Sequence, residues 1–416
     1  MADQQKRRVV VTGLGIVCPL GIGLERTWKA ICAGESGITR ITKFDPKNHA
    51  SQIAGEVKDF NPADYIEKKE IKKMDAFIHF AVAASQMAVD DAGLKVTSGN
   101  AGRVGVNIGS GIGGLGSIEY YRDVLREKGP DRITPFLIPM VAINLAPAHV
   151  AIRLGAKGPN TSASTACATG THCIGDSYRI IERGGADVMV AGGAEAPITS
   201  LGVAGFAAAR ALSRRNEDPA HASRPFDKDR DGFVIAEGAG VVVLEELEHA
   251  RRRGARIYCE LIGYAMNSDA YHITAPAEDG DGAVQCMELA IKDAGIATSE
   301  IDHINAHATS TIADATETQA IKRVFGEQAY KIPVSATKSM TGHLAGGAGG
   351  VEAALCALTI QRKVLPPTIN LERPDPACDL DYVANRARTA AVNIILKNSF
   401  GFGGVNACLV FKRLDS

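Results

Sequence analysis

Aromatic residues are scarce in this 416-residue chain, at 5% with a single Trp, whereas there are 44 glycines. A core short of rings is filled by close approach of backbones, so tightly crossed helices are expected. Net charge is nearly absent, with 46 Lys and Arg against 47 Asp and Glu. No global field therefore draws the protein to nucleic acid or to a membrane, and neither is expected as a partner. No run approaches the ~20 apolar residues a membrane helix needs. The polar, basic stretch Met1–Arg8 leads only into Val9-Val10-Val11, too short an apolar run for a signal peptide. A cytoplasmic protein is expected.

Paired cysteines are also missing. Cys18, Cys32, Cys167, Cys173, Cys259, Cys286, Cys356, Cys378 and Cys408 are odd in number and scattered, with no Cys-x-x-Cys. This excludes a disulfide framework or zinc ribbon, predicts no metal site, and leaves most thiols as small core hydrophobes in a reducing compartment. There is no Gly-Lys-Ser/Thr phosphate loop and no His-Glu-x-x-His. Gly13-Leu14-Gly15 lacks the third glycine of a dinucleotide fingerprint and is read as a tight turn after the first strand.

What is present alternates. Strands are predicted at Arg8–Thr12, Val104–Ile108, Val188–Gly192, Gly240–Glu245, Ile257–Tyr264, Ile301–Ala306, Lys331–Val334, Asn393–Lys397 and Val405–Phe411. Helices are predicted at Asp75–Ala92, Gly170–Arg183, Asp281–Ala294, Ala315–Phe325 and Gly350–Gln361. Such alternation implies an α/β fold. Val89-Asp-Asp-Ala-Gly-Leu94 and Ile291-Lys-Asp-Ala-Gly-Ile296 each close a helix on Gly before a strand. They suggest a duplicated unit, with halves 1–254 and 255–416 meeting at the charged run Glu245–Arg256.

Cys167 sits in the small-residue stretch Asn160–Gly170, at a strand-to-helix turn. Unpaired N–H groups at a helix N-terminus favour a thiolate there and a lowered thiol pKa, and they offer donors to a developing oxyanion. His307 and His343 each follow a predicted strand, at the strand ends where α/β sheets collect ligand chemistry. A Cys with two His fits either a hydrolase, with one His as base, or a decarboxylating condensation, with both imidazoles donating to an enolate. Residue types alone leave both open.

The motifs in series resemble the β-ketoacyl-acyl carrier protein synthases, most closely their synthase II branch, over nearly the whole chain. Thr165-Ala-Cys167-Ala-Thr-Gly is similar to the family's nucleophile motif. Asn305-Ala-His307 and Lys338-Ser-Met-Thr-Gly-His343 are similar to its histidine motifs, and Asn398-Ser-Phe-Gly-Phe-Gly-Gly404 to its gating loop. Arg224-Pro-Phe-Asp-Lys-Asp-Arg-Asp-Gly232 is a further family stretch. The resemblance implies the thiolase fold, a duplicated αβαβα five-layer sandwich, usually as a homodimer. It implies acylation of Cys167 by an acyl carrier thioester, enolate stabilisation by His307 and His343 as malonyl carrier loses CO₂, and attack on the Cys167 thioester without a cofactor. Lys338 would tune the histidine charges. Cys167 and Phe402 would supply oxyanion N–H groups, Phe400 and Phe402 the gate, and Ile112 part of the acyl pocket.

Alternatives are a polyketide-type ketosynthase or a non-elongating chain-length-factor-like partner, although the latter usually lacks the nucleophile. A thiolase would want a second Cys where this chain has Phe402-Gly403. The sequence departs from the family at Ala308, usually Gly, and at Thr311–Asp314, one residue shorter and without its Pro. Carrier proteins are acidic, so a basic docking patch is expected at Lys68, Lys69, Lys72 and Lys73 with Arg210. Reversing Lys69 and Lys73 to Glu should raise KM for carrier-bound substrate while sparing a small thioester mimic. Equal effects on both substrates in steady-state kinetics would remove the docking assignment.

Overall fold

The computed structural model describes residues 6–414, so Met1–Gln5 of the polar terminus lie outside the described residues. The first half of the chain forms strand β1 (Val9–Cys18), helix α1 (Ala76–Asp91), β2 (Val104–Gly109), β3 (Asn160–Thr161), α2 (Thr169–Glu182), β4 (Val188–Glu195) and β5 (Gly238–Glu246). The second forms β6 (Cys259–Ser268), α3 (Asp281–Ala294), β7 (His303–Asn305), α4 (Ala313–Phe325), β8 (Val334–Ser335), α5 (Ala348–Arg362), β9 (Ile394–Gly401) and β10 (Val405–Lys412).

The two halves repeat one topology. The first orders its strands β1-β5-β4-β2-β3 and the second β6-β10-β9-β7-β8. In each, the first two pairings are antiparallel and the last two parallel. Val9–Val11 pair with Cys259–Leu261 and join the two layers. Helices α2 and α5 pack on each other between the sheets, with α1 outside the first layer and α3 and α4 outside the second. β1 is buried at every position, as a strand covered on both faces must be.

The repeated Asp-Ala-Gly has a common physical role. Gly93 and Gly295 end α1 and α3 with φ of +58° and +66°, a region that costs glycine little. Asp91 accepts the Leu14 N–H at 3.0 Å, and Asp293 accepts the Tyr264 N–H at 2.9 Å, tying each helix end to the first strand of its half. The turn expected at Gly13-Leu14-Gly15 is not there, since these residues lie inside β1. They are glycines because α1 presses on the strand: a Cβ on Gly13 would sit 2.1 Å from the Ala88 carbonyl oxygen. Other differences are at strand ends. Pro333 delays β8 to Val334, and pairing with β10 carries β9 on to Gly401.

Glycines also set the central layer. A Cβ on Gly350 of α5 would lie 1.9 Å from the Gly240 oxygen of β5, and one on Gly170 of α2 would lie 2.7 Å from the Gly350 nitrogen. Both contacts are with backbone, which cannot swing aside. Gly350→Ala should therefore cost about 3 kcal/mol in denaturant unfolding, the upper range for overpacking. Gly205→Ala, where nothing lies within 4 Å, should be neutral or slightly stabilising.

Candidate active site

Because the two halves share a topology, the segment between β3 and α2 corresponds to that between β8 and α5. Cys167 lies in the first and His343 in the second. The crossing of α2 and α5 at their glycines brings these N-terminal ends together. Cys167 Sγ is 2.9 Å from His343 Nε2. His307 follows β7, and its ring stands 5.6 Å from that of His343 at 85°. Sγ and one nitrogen of each ring lie within 4.8 Å of one another. They open into a cavity of about 390 Å³, whose lining includes Ala308, Thr309, Phe400 and Phe402.

Each side chain is fixed from behind. Cys167 sits in the single turn Ala166–Ala168 leading into α2. Ala166 holds φ +48°, and Thr169 Oγ1 pins the turn by accepting from Thr165 N and donating to Ala166 O, each at 2.8 Å. His343 donates its N–H to Val234 O at 2.8 Å and accepts from Ala236 N at 2.9 Å. Glu317 accepts the N–H groups of His307 and Ala308, both at 2.8 Å, and Asp314 accepts those of Thr309 and Ser310. The shortened Thr311–Asp314 loop is thus held by buried carboxylates. The methyl of Ala308 is buried at the cavity wall.

Lys338 donates to the His307 carbonyl at 2.6 Å and pairs with Glu352. Lys397 meets the other Glu352 oxygen at 3.1 Å. Burial drives both imidazole pKa values well below the usual histidine value, and the Lys338 and Lys397 charges lower them further. Both rings are accordingly neutral. The Nδ1 atoms of His307 and His343 are buried without a partner among the described residues. Two ammoniums behind these rings also oppose a metal cation between them.

The lowered thiol pKa expected at Cys167 is not found. Burial pushes the thiol up to about 11, outweighing the Phe402 N–H, the Lys338 charge and the Cys167 N–H, which all act downward. The sulfur faces the cavity but is surrounded by protein, so lost hydration exceeds what the helix end supplies. The two N–H groups expected for an oxyanion do both approach the sulfur.

Phe400 packs 6.0 Å from the His307 ring, and Phe402 is half-buried on the same glycine loop. Ile112 is not in the cavity lining; its N–H donates to Glu195 at 3.1 Å on a neighbouring loop. Arg210 lies at the cavity edge. The lysine helix does not line the cavity. Lys69 is paired with Glu67 at 2.9 Å, Lys73 with Glu70 at 2.7 Å, and Lys68 and Lys72 are exposed.

Three site residues escaped the sequence reading: Glu195, Glu352 and Lys397. Glu195 is buried and accepts from Ser110, Gly111, Ile112 and Gly346, tying the Ile112 loop to the start of α5. The available signal was a lone charge in an apolar element, such as Glu352 within Gly349-Gly-Val-Glu-Ala-Ala-Leu355. With the thiol raised in this way, the alkylation rate of Cys167 by iodoacetamide should keep rising through pH 9 to 10, since thiolate accumulates only near a pKa of about 11. A plateau below pH 8 would contradict that assignment.

Residues 6–250 match the family described as Beta-ketoacyl synthase, N-terminal domain, and 258–372 match Beta-ketoacyl synthase, C-terminal domain. The chain is 55% identical over 414 residues to the 3-oxoacyl-[acyl-carrier-protein] synthase 2 of Synechocystis sp., covering 99% of this chain and 100% of that one. It is 51% identical over 411 residues to the protein of the same name from Vibrio harveyi, covering 98% and 99%. Among solved structures it is similar to a beta-ketoacyl synthase from Burkholderia phymatum, with 36% identity, TM-score 0.91 and coverage of 98% and 100%. It is also similar to a chain of AntDE:AntF, a type II PKS acyl-carrier protein in complex with its ketosynthase, with 37% identity, TM-score 0.89 and coverage of 99% and 100%. The chain belongs to the β-ketoacyl synthase family and has the thiolase fold.

Proposed function

We propose that this protein is a 3-oxoacyl-acyl carrier protein synthase of the synthase II type, elongating acyl chains in type II fatty acid synthesis by decarboxylative condensation. The observation that carries this reading is the cluster itself: one thiol 2.9 Å from one imidazole, a second imidazole at 5.6 Å, and both rings neutral in one cavity.

In the first half-reaction the Cys167 thiol gives its proton to His343 Nε2 as Sγ attacks the acyl thioester. The carrier thiolate leaves and takes that proton. The N–H groups of Cys167 and Phe402 stabilise the oxyanion. Malonyl carrier then enters past Phe400 and Phe402. The bond to the carboxylate breaks, CO₂ departs, and its electron pair forms an enolate whose oxygen accepts from the N–H of neutral His307 and, in the tautomer that carries its proton on Nε2, from that of His343. The enolate carbon attacks the Cys167 thioester, expelling the thiolate, which takes a proton from water. Loss of CO₂ drives the step, so no cofactor is invoked. Burial keeps the imidazoles uncharged, and the Lys338 charge adds to that effect.

The acyl carrier protein is the proposed partner, with Arg210 at the cavity edge and Lys69, Lys72 and Lys73 further out as docking cations. A homodimer is proposed on the free edge of β3, which is exposed, together with Ile138 and Ile152, 73% and 76% exposed in the same half of the chain. Ile112 then belongs to an acyl pocket completed beyond the cavity described above. Residues 1–254 contribute the nucleophile and 255–416 the two histidines. Among the described residues no helix is long and apolar enough to cross a membrane. Nine free thiols suit the cytoplasm, where we place the reaction.

Mass spectrometry after incubation with acyl carrier thioester should find one acyl group on Cys167, absent in Cys167→Ala. CO₂ release from malonyl carrier should fall by roughly 10²–10³ in His307→Ala and in His343→Ala, the usual cost of a lost donor to a developing oxyanion. Acylation of a different cysteine would overturn the assignment.

A further inference from the structure

Strand β9 places a single charged side chain among buried positions. Lys397 has no exposed side-chain surface. Alternate residues of β9 face the central helices, and Ile395, two positions earlier on that face, belongs to the central apolar cluster. An apolar or hydroxyl side chain would fill position 397 without stripping water from an ammonium, so packing alone does not call for a lysine.

Burial lowers the Lys397 pKa, and the Glu352 carboxylate opposes that shift in favour of the charged form. Nζ donates to Thr171 Oγ1 at 2.6 Å and to Ser399 Oγ, and meets Glu352 Oε2 at 3.1 Å. Two of the ammonium's three N–H groups are thus bonded to hydroxyls, and the carboxylate stands beside it as an ion pair. Glu352 is shared, its other oxygen pairing with Lys338. One carboxylate between two ammoniums leaves uncompensated positive charge behind the active site. The other titratable groups facing Lys397 do not cancel it. On α5 and β10 these are the Cys356 and Cys408 thiols, kept protonated by burial, and on α2 it is His172, held neutral by burial. Glu317 on α4 faces Lys338, and burial raises its carboxyl pKa, which weakens its offset of that charge. The groups left to feel the excess charge are His307 and His343.

We propose that Lys397 is a positioning residue for the decarboxylating step: by sharing Glu352 with Lys338, its ammonium holds His307 and His343 in the neutral form that donates to the forming enolate. This rests on the condensing reading of the site. Removing the charge raises the affinity of both imidazoles for a proton, so activity is lost at a higher pH on the acid side.

The test uses the full-length enzyme, Lys397→Met and Lys397→Arg, each checked for folding by thermal melting, with Lys397→Gln in reserve should the Met variant not fold. Histidine ring carbons are labelled with ¹³C, the resonances of His307 and His343 assigned by substitution to Gln, and titrated alongside the pH profile of CO₂ release from malonyl carrier. In the unaltered enzyme and in Lys397→Arg the rings should stay neutral down to the acid limit of the fold. In Lys397→Met the rings should begin to take up protons at a higher pH, inside the folded range, and the acid limb of kcat/KM should move up with them. Rings that stay neutral over the same range in a folded, less stable Lys397→Met would overturn the proposal and leave Lys397 a structural residue. Shifted midpoints in an enzyme that releases no CO₂ even unaltered would sustain the electrostatic role and refute the reading of the reaction instead.

Discussion

The site depends on how closely two helices cross. At Gly170 and Gly350 the backbones of α2 and α5 meet with no room for a Cβ. Each helix begins just after a strand of its own half, and each carries one reactive side chain in the segment before it. Bringing the helix starts together therefore brings Cys167 and His343 together, although 176 positions separate them in the chain. The duplicated topology makes this possible, because one connection is used twice with different chemistry at its end. On the proposed reading the residue of the first half is a nucleophile and that of the second a proton acceptor and donor. His307, after β7, adds the donor for which the first half has no counterpart.

Burial then sets the protonation of all three groups in one direction. A dry cavity disfavours charge, so the thiol holds its proton and both imidazoles lack one. The resting site is neutral at its reacting atoms, and its charge is kept behind them in the Lys338–Glu352–Lys397 group. Such an arrangement suits a reaction whose intermediate is an anion. The N–H groups and neutral rings are fixed before the enolate forms, so little reorganisation is needed as charge appears.

The elements were largely legible in the sequence, because strands buried on both faces and helices with an apolar stripe leave clear periodic traces. Asp281–Ala294 was readable to the residue, as its Gly280 and Gly295 bound it on both sides. The reactive trio was legible too, since each member follows a strand and lies in a distinctive run of small residues. The glycines of β1 misled, because a turn and a close helix contact both require glycine and only tertiary structure separates them. The Cys167 pKa misled for a related reason. A helix N-terminus can be read from sequence, but the lost hydration that outweighs it depends on what the other half of the chain stacks above the sulfur. Glu352 and Lys397 each stand as a lone charge in an apolar element, but their pairing across 45 positions leaves no local pattern.

The most direct measurement is a single-turnover chase. The enzyme carrying a labelled acyl group on Cys167 is isolated, mixed with malonyl carrier, and followed by quenched-flow and mass spectrometry. If the thiol and the two imidazoles work on one carbonyl, the label leaves Cys167 into the 3-oxoacyl product at the rate CO₂ appears and in equal amount. CO₂ release with the label still on Cys167, or loss of the label as free acid, would contradict a carbon–carbon bond formed at this site.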